Sequence, residues 1–322
     1  MPTLRRPRKG SLRFYPRKRA AKVLPSVNWK PFSSIKYGSQ SILGFITYKV
    51  GMATAIVKDT TDKSMTFGKK IAIPVTILEA PNMKIFSIRF YKDNIPFKDI
   101  IVSNDKELKR KLRVPKHLSP EQKAPNEYDD VRVLAYSIPK QTSIKKTPDI
   151  IELAISDPDK HKKLEYAKSL IGKEISMSDL PKFPLLDTRG LTKGRGLSGA
   201  VKRFGIGLKA HKSEKGRRRP GSLGPWHPAR VTFRTPMAGQ LGFFTRINYN
   251  NNLILSSSIR EKDINPKSGY IHYGKVNTSY ILIKGSVQGP AKRQILVTPS
   301  YRPSPYQLKK KYEFIELVNE TK

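Results

Sequence analysis

Alternation of apolar and polar positions sets the first expectations. Two apolar runs flank Gly51 in SILGFITYKVGMATAIVK, residues 41–58, and IAIPVTIL at 71–78 is rich in β-branched side chains, so both stretches read as strands. In KIFSIRFY, Phe86, Ile88 and Phe90 alternate with Ser87 and Arg89, which predicts a half-buried strand with one face on a core and the other in water. VRVLAYS at 131–137 and IIELAI at 150–155 return to strand character. Ser156, Pro158 and Asp159 then signal a helix start; Leu164, Ala167 and Leu170 supply its apolar stripe, and Gly172 ends it. DTRGLTKGRGLSGAVKRFGIG predicts a strand, a glycine-rich turn and a short helix near Leu197 to Phe204. Further on, FFTRINY at 243–249, GYIHY at 269–273, SYILIKG at 279–285, QILVTP at 294–299 and the closing KYEFIELV read as short strands. Residues 92–128 carry no clear period, and the region 92–170 is expected to be an insertion. Short strands at hairpin spacing with few helices predict a mainly β fold with peripheral helices (α+β), its body a closed or nearly closed barrel.

One stretch breaks every period. In GRRRPGSLGPWHPARVTFRTPMAGQ, residues 216–240, Pro220, Gly221, Gly224, Pro225 and Pro228 fall within nine residues. Three amide donors are missing and the glycines weaken any regular interior, so the segment must be a loop. Trp226 and His227 are amphipathic rings that need a packed or hydrogen-bonded partner. With Arg217, Arg218, Arg219, Arg230 and Arg234 around them, an external partner would be anionic and offer flat faces, which suits folded RNA. The alternative is that Trp226 pins the loop to its own domain.

Charge sharpens the picture. The chain has 322 residues, 63 Lys and Arg against 25 Asp and Glu, and a net charge of +38. Residues 1–58 hold 13 basic residues and no acid, and residues 188–260 hold 15 against Glu214 alone. The rest has an ordinary, mildly basic balance. A near-normal globular body therefore carries two polycationic segments, of the kind that order against nucleic acid. Residues 1–40, interrupted by proline and with Phe14, Tyr15, Trp29 and Phe32 among the charges, read as an extended arm. There is no cysteine, which excludes disulfides, thiolate zinc sites and cysteine nucleophiles. No apolar run approaches a membrane span, and the N-terminus lacks a signal peptide's apolar core, so a cytoplasmic protein is expected.

Candidate chemistry is sparse. KGRG at 193–196 allows backbone amides to approach a phosphate beside Lys193 and Arg195, yet lacks the spacing of a nucleotide-hydrolysing loop; a glycine turn fixing strand-to-helix geometry accounts for it equally well. His117, His161, His211, His227 and His272 lie in separate segments with no metal-ligand spacing. His227 as a general base would need an orienting acid, and Asp187 and Glu214 are the nearest in sequence. No cofactor and no metal are expected.

At these residues the sequence resembles the universal large-subunit ribosomal protein three family in its archaeal form. PRKGSLRFYPRKR at 7–19 is similar to the family's N-terminal arm, GFITYKVGMA at 44–53 to its first barrel hairpin, and GLTKGRGLSGAVKRFG at 190–205 to its glycine-rich signature. GSLGPWHPARV at 221–231, MAGQLG at 237–242 and KGSVQGPAKR at 284–293 complete the match. The resemblance implies a translation-protein-type β-barrel body, 41–204 and 241–322, with two long irregular basic extensions: the arm 1–40 and a central extension 205–240. Both would thread through large-subunit ribosomal RNA, with neighbouring large-subunit proteins as further partners and neither a membrane nor a small-molecule substrate. The RNA-binding residues would be Arg8, Lys9, Gly10, Arg17, Lys18, Arg19, Lys193, Arg195, Lys202, Arg203, Arg217, Arg218, Arg219, Arg230 and Arg234. Trp226, His227 and Arg230 would lie near the peptidyl transferase centre, buttressing RNA without doing chemistry, and the protein would support early subunit assembly. Eukaryotic relatives modify a histidine where Glu214 aligns and bacterial relatives a glutamine where PWHP stands, so neither modification is expected here. The competing classes are an RNA-modifying or RNA-cleaving enzyme using His227, and an architectural protein of duplex DNA.

Overall fold

In a computed structural model, residues 10, 15–34, 40–117, 124–179 and 183–318 are described. They form a mainly β protein with few helices. In chain order the elements are β1 (Phe45–Asp59), β2 (Lys70–Ala80), β3 (Met83–Lys92), β4 (Ile95–Ile101), β5 (Asp130–Ser137), β6 (Ile150–Ala154), α1 (Lys160–Ser169), β7 (Leu185–Leu191), β8 (Leu197–Ser198), α2 (Ala200–Phe204), β9 (Gly239–Gln240), β10 (Thr245–Ser258), β11 (Ser279–Lys284), β12 (Gln294–Pro299), α3 (Pro305–Leu308) and β13 (Tyr312–Val318). The chain divides into two compact units, residues 1–21 with 191–246, and residues 22–190 with 247–322.

The larger unit holds two sheets. The first has the order β12-β7-β10-β11-β2-β1-β13, and β12 pairs with β1 as well as with β7. Its ladders pair antiparallel, as in Phe45 opposite Val297 and Ser279 opposite Ala80. The second sheet has the order β4-β3-β5-β6. One cluster of buried side chains draws on both: Phe45, Tyr48, Val75 and Ile77 from the first, Ile88, Phe90, Val133 and Leu153 from the second. At about 1.5–3 kcal/mol for each large apolar side chain removed from water, this cluster supplies the main drive for folding the unit. Helix α1 starts where the sequence signals it, with the Asp159 carboxylate accepting from the His161 amide at 3.0 Å.

Several expectations change. The stretch 44–53, likened to a barrel hairpin, lies within the single strand β1, whose hairpin partner is β2; the register between them shifts between Lys49 and Gly51. A β-bulge accommodates the extra residue there. β3 is buried on both faces, with Ser87 fully buried, because a register shift between Ile85 and Ser87 turns Phe86 into a separate cluster with Leu108 and Tyr136. Residues 95–101 form a strand missed by pattern, since β4 is an edge with Ile95 and Phe97 exposed; the turn before it has Asp93 and Asn94 at positive φ. GYIHY is a tight turn bridged from Tyr270 to Gly274, with His272 at φ +62°. Trp29 and Phe32, read as arm aromatics, are 2% and 3% exposed and join the main core, the Trp29 indole donating to the Glu152 carbonyl at 3.1 Å.

Candidate nucleic-acid interface

The smaller unit is where the charge concentrates. It holds 21 Lys and Arg and one carboxylate, Glu214. The ion pairs seen among the described residues, such as Lys84 with Glu174 and Lys163 with Asp130, join side chains of the larger unit. With 21 cations to one carboxylate in its own sequence, the smaller unit carries a strong positive field for an outside anion.

Its neck is built from the glycine-rich stretch. β8 pairs with β9, Leu197 opposite Gln240 and Ser198 opposite Gly239. The pairing continues through Arg195 N–H to the Leu241 carbonyl at 2.9 Å, Leu241 N–H to the Gly196 carbonyl at 2.9 Å, and Thr192 N–H to the Phe244 carbonyl at 3.0 Å. At KGRG the Arg195 amide is therefore bonded to the opposite strand and does not face an anion. The side chains of Lys193, Arg195 and Lys202 remain exposed.

Arg203, counted among the RNA-binding residues, has an internal task. Its Nε donates to the Gln240 carbonyl and its Nη1 to the Met237 carbonyl, both at 3.0 Å, tying α2 to the returning chain. Burial, with the nearby Arg17 charge, pulls its guanidinium below the usual range. Arg17 lies over the Phe204 ring at 4.5 Å and the Tyr15 ring at 5.2 Å. A Cβ on Gly10 would meet Phe204 at 2.9 Å and Arg17 at 3.0 Å, so Gly10 serves close packing. Arg8 and Lys9 fall outside the described residues.

Residues Tyr15–Ala21 and Phe244–Arg246 enclose a cleft of about 270 Å³ lined by Arg17, Lys18, Arg19 and Arg246 with no carboxylate. Arg246, which stacks on Phe244 at 5.3 Å, was hidden in the strand pattern FFTRINY. A phosphate fits this lining by size and charge.

From Gly205 to Ala238 the chain has no helix or strand. Its order comes from small local bonds: Lys209 N–H to the Arg217 carbonyl at 3.1 Å, Thr235 Oγ1 to the Leu223 carbonyl at 3.1 Å, and Ser222 Oγ to the Gly224 carbonyl at 3.1 Å. Arg217, Arg218, Arg219, Arg230 and Arg234 are exposed, Arg234 lying 5.6 Å from the Phe233 ring. Trp226 is 88% exposed and Phe233 62%, with Val231 and Leu208 also open to solvent. Trp226 therefore does not pin the loop to its own domain. His227 is exposed and has no hydrogen bond or ion pair among the described residues, nor is there any group of three metal-ligating side chains among them. An oriented general base is not built here.

Fold and charge together define a mainly β protein bearing a basic, carboxylate-poor unit with exposed aromatic rings. A family model described as Ribosomal protein L3 matches residues 1–128 and 103–320. The large ribosomal subunit protein uL3 of Methanocaldococcus jannaschii is 38% identical over 316 residues, covering 93% of this chain and 92% of the relative. Those of Methanococcus aeolicus and Methanobrevibacter smithii are 39% and 38% identical over 311 and 315 residues, each covering 92% of both chains. The chain belongs to the ribosomal protein L3 family.

Proposed function

We propose that the smaller unit is the RNA-binding part of this chain. As a member of its family the chain is a structural constituent of the large ribosomal subunit, not an enzyme, and it acts in translation within the ribosome. The observation that carries the RNA reading is Trp226, 88% exposed on a segment without regular structure whose neighbours are arginines and whose only acid is Glu214. An isolated chain gains nothing from such a surface, whereas large-subunit ribosomal RNA supplies phosphates for the guanidinium groups and base faces for the rings.

In this reading Lys18, Arg19 and Arg246 take phosphate at the arm, Lys193, Arg195 and Lys202 at the neck, and Arg217, Arg218, Arg219 and Arg234 along the central extension 205–240. Arg17 contributes charge from its seat on Phe204, and Arg203 positions the extension. Trp226, His227 and Arg230 buttress RNA near the peptidyl transferase centre. Arm and extension give the chain its part in early assembly, and neighbouring large-subunit proteins abut the body. The return of the strand order through β12 to β1 supports a translation-protein-type barrel as the architecture of that body.

Titration of the full chain with large-subunit ribosomal RNA and with random duplex DNA at physiological salt tests the reading. Tighter binding to the RNA by at least about tenfold is expected, a difference of about 1.4 kcal/mol. Equal affinity would favour a general architectural protein and overturn it.

A further inference from the structure

We propose that a cleft beside β6 receives an extended segment of a neighbouring protein, which joins the second sheet as an added strand. The inference rests on the chain's place in the large subunit, where other polypeptides are within reach.

β6 is the last strand of its sheet. Three hydrogen bonds fix which of its backbone groups face outward. On the β5 side the Ser137 amide donates to the Asp149 carbonyl at 3.0 Å. On the other side the Glu152 carbonyl accepts from the Trp29 indole at 3.1 Å, and the Ala154 carbonyl from the Leu43 amide at 2.9 Å. Backbone groups alternate sides along a strand, so Ile150, Glu152 and Ala154 all point away from β5. Leu43 covers Ala154. The amide and carbonyl of Ile150 and the amide of Glu152 face the cleft, a template for another chain.

The cleft has a volume of about 570 Å³, with the stretch Lys22–Val27 as one wall and Ile150–Glu152 as the other. That is within the roughly 300–1,000 Å³ of ligand-binding clefts. Val23, Leu24, Val27, Leu134 and Ile151 make it apolar along much of its length. Its charges are of both signs: Lys22, Arg89 and Lys111 stand against Asp149 and Glu152. The carboxylates are engaged, Asp149 accepting from the Tyr48 hydroxyl at 2.7 Å and pairing with Lys111 at 3.7 Å, Glu152 pairing with Arg89 at 3.3 Å and Arg132 at 2.9 Å. Two carboxylates in the wall oppose a phosphate chain, in contrast with the smaller unit. What the cleft offers is strand backbone and apolar side chains, the elements by which strand addition recognises a peptide.

The test places a photo-crosslinking residue at Val23, which is 39% exposed, in the full chain assembled into purified large subunits. A covalent adduct with another polypeptide is expected. An adduct with RNA, or with no other molecule, overturns the proposal while leaving the ribosomal reading intact; absence of the chain from the subunit fraction would overturn both. A second variant, Ile150→Pro, removes one outward amide and none of the bonds to β5, since proline is tolerated on an edge with its nitrogen facing out. It should lower the adduct yield about tenfold while the chain still enters subunits, and an unchanged yield would count against strand addition.

Discussion

Gly242 packs so closely on Lys193 that a Cβ at position 242 would lie 1.9 Å from the Lys193 carbonyl oxygen. Its φ of +73° is a conformation that side chains other than glycine's rarely adopt. Both facts come from the neck, where residues 192–198 run against residues 239–244. Gly242→Ala should therefore open the neck, and hydrogen exchange at the amides of Arg195 and Leu241 should quicken by roughly 10²-fold, corresponding to about 2–3 kcal/mol of local stability. Unchanged exchange at these amides would show that the neck does not depend on this approach.

Trp226 contributes almost nothing to the isolated fold. With 88% of its surface in solvent, Trp226→Ala should change the stability of the free protein by less than about 0.5 kcal/mol. Sedimentation profiles of cells carrying the variant should nevertheless show impaired large-subunit maturation, or purified subunits should show slowed peptidyl transfer. A lowered melting temperature with normal subunits would contradict this assignment.

The arginine run should be visible in salt dependence. Binding driven by phosphate neutralisation weakens with salt by about 0.7–0.9 in log-log slope for each phosphate neutralised. Arg217, Arg218 and Arg219 are exposed side by side. Replacing all three with alanine should make the slope shallower by about 2 to 3, measured by titrating ribosomal RNA at several salt concentrations. A slope that does not change would mean the run is merely a solvated face.

Glu79 is fully buried and accepts hydrogen bonds from the Tyr273 hydroxyl, the amides of Asn277 and Thr278, and the Thr278 hydroxyl. Burial outweighs these bonds and raises its carboxyl above the usual range. A raised folded value means the native state holds the proton more tightly than the unfolded chain does. Stability from this group is then greatest below the ordinary carboxylate range and declines as pH rises through the raised value. Glu79→Gln retains an acceptor for the two amides and removes the charge, so its stability relative to the native chain should improve from mildly acidic to neutral pH. Glu79→Ala leaves the buried donors unpaired and should cost about 2–4 kcal/mol, measured by denaturant unfolding. A pH-independent difference between the glutamine variant and the native chain would contradict the raised value.

Patterning locates β2, β5, β6, β11, β12 and β13 closely because each of these strands follows a local period or apolar run that burial imposes. Where a long-range event resets the phase, the pattern misleads. The bulge beside Phe86 and the turn at Tyr270–Gly274 look the same in sequence as unbroken strands, and the burial of Trp29 depends on Glu152, 123 residues away. The basic interface divides in the same way. Charge density and the proline and glycine content of residues 216–240 are properties of the sequence, and so the irregular, cationic character of that stretch is legible from it. Arg203 is not, because its partners are carbonyls 34 and 37 positions along the chain, and a carbonyl carries no signature of residue type. Arg246 was obscured by the apolar residues beside it.

The central claim is that the irregular cationic extension is shaped to meet RNA. A photo-crosslinking residue substituted for Trp226 in the full chain, followed into purified large subunits, tests it most directly. Crosslinking to large-subunit ribosomal RNA at one or a few sites is the expected result. Adducts formed only within the chain itself, or only with other proteins, would contradict it.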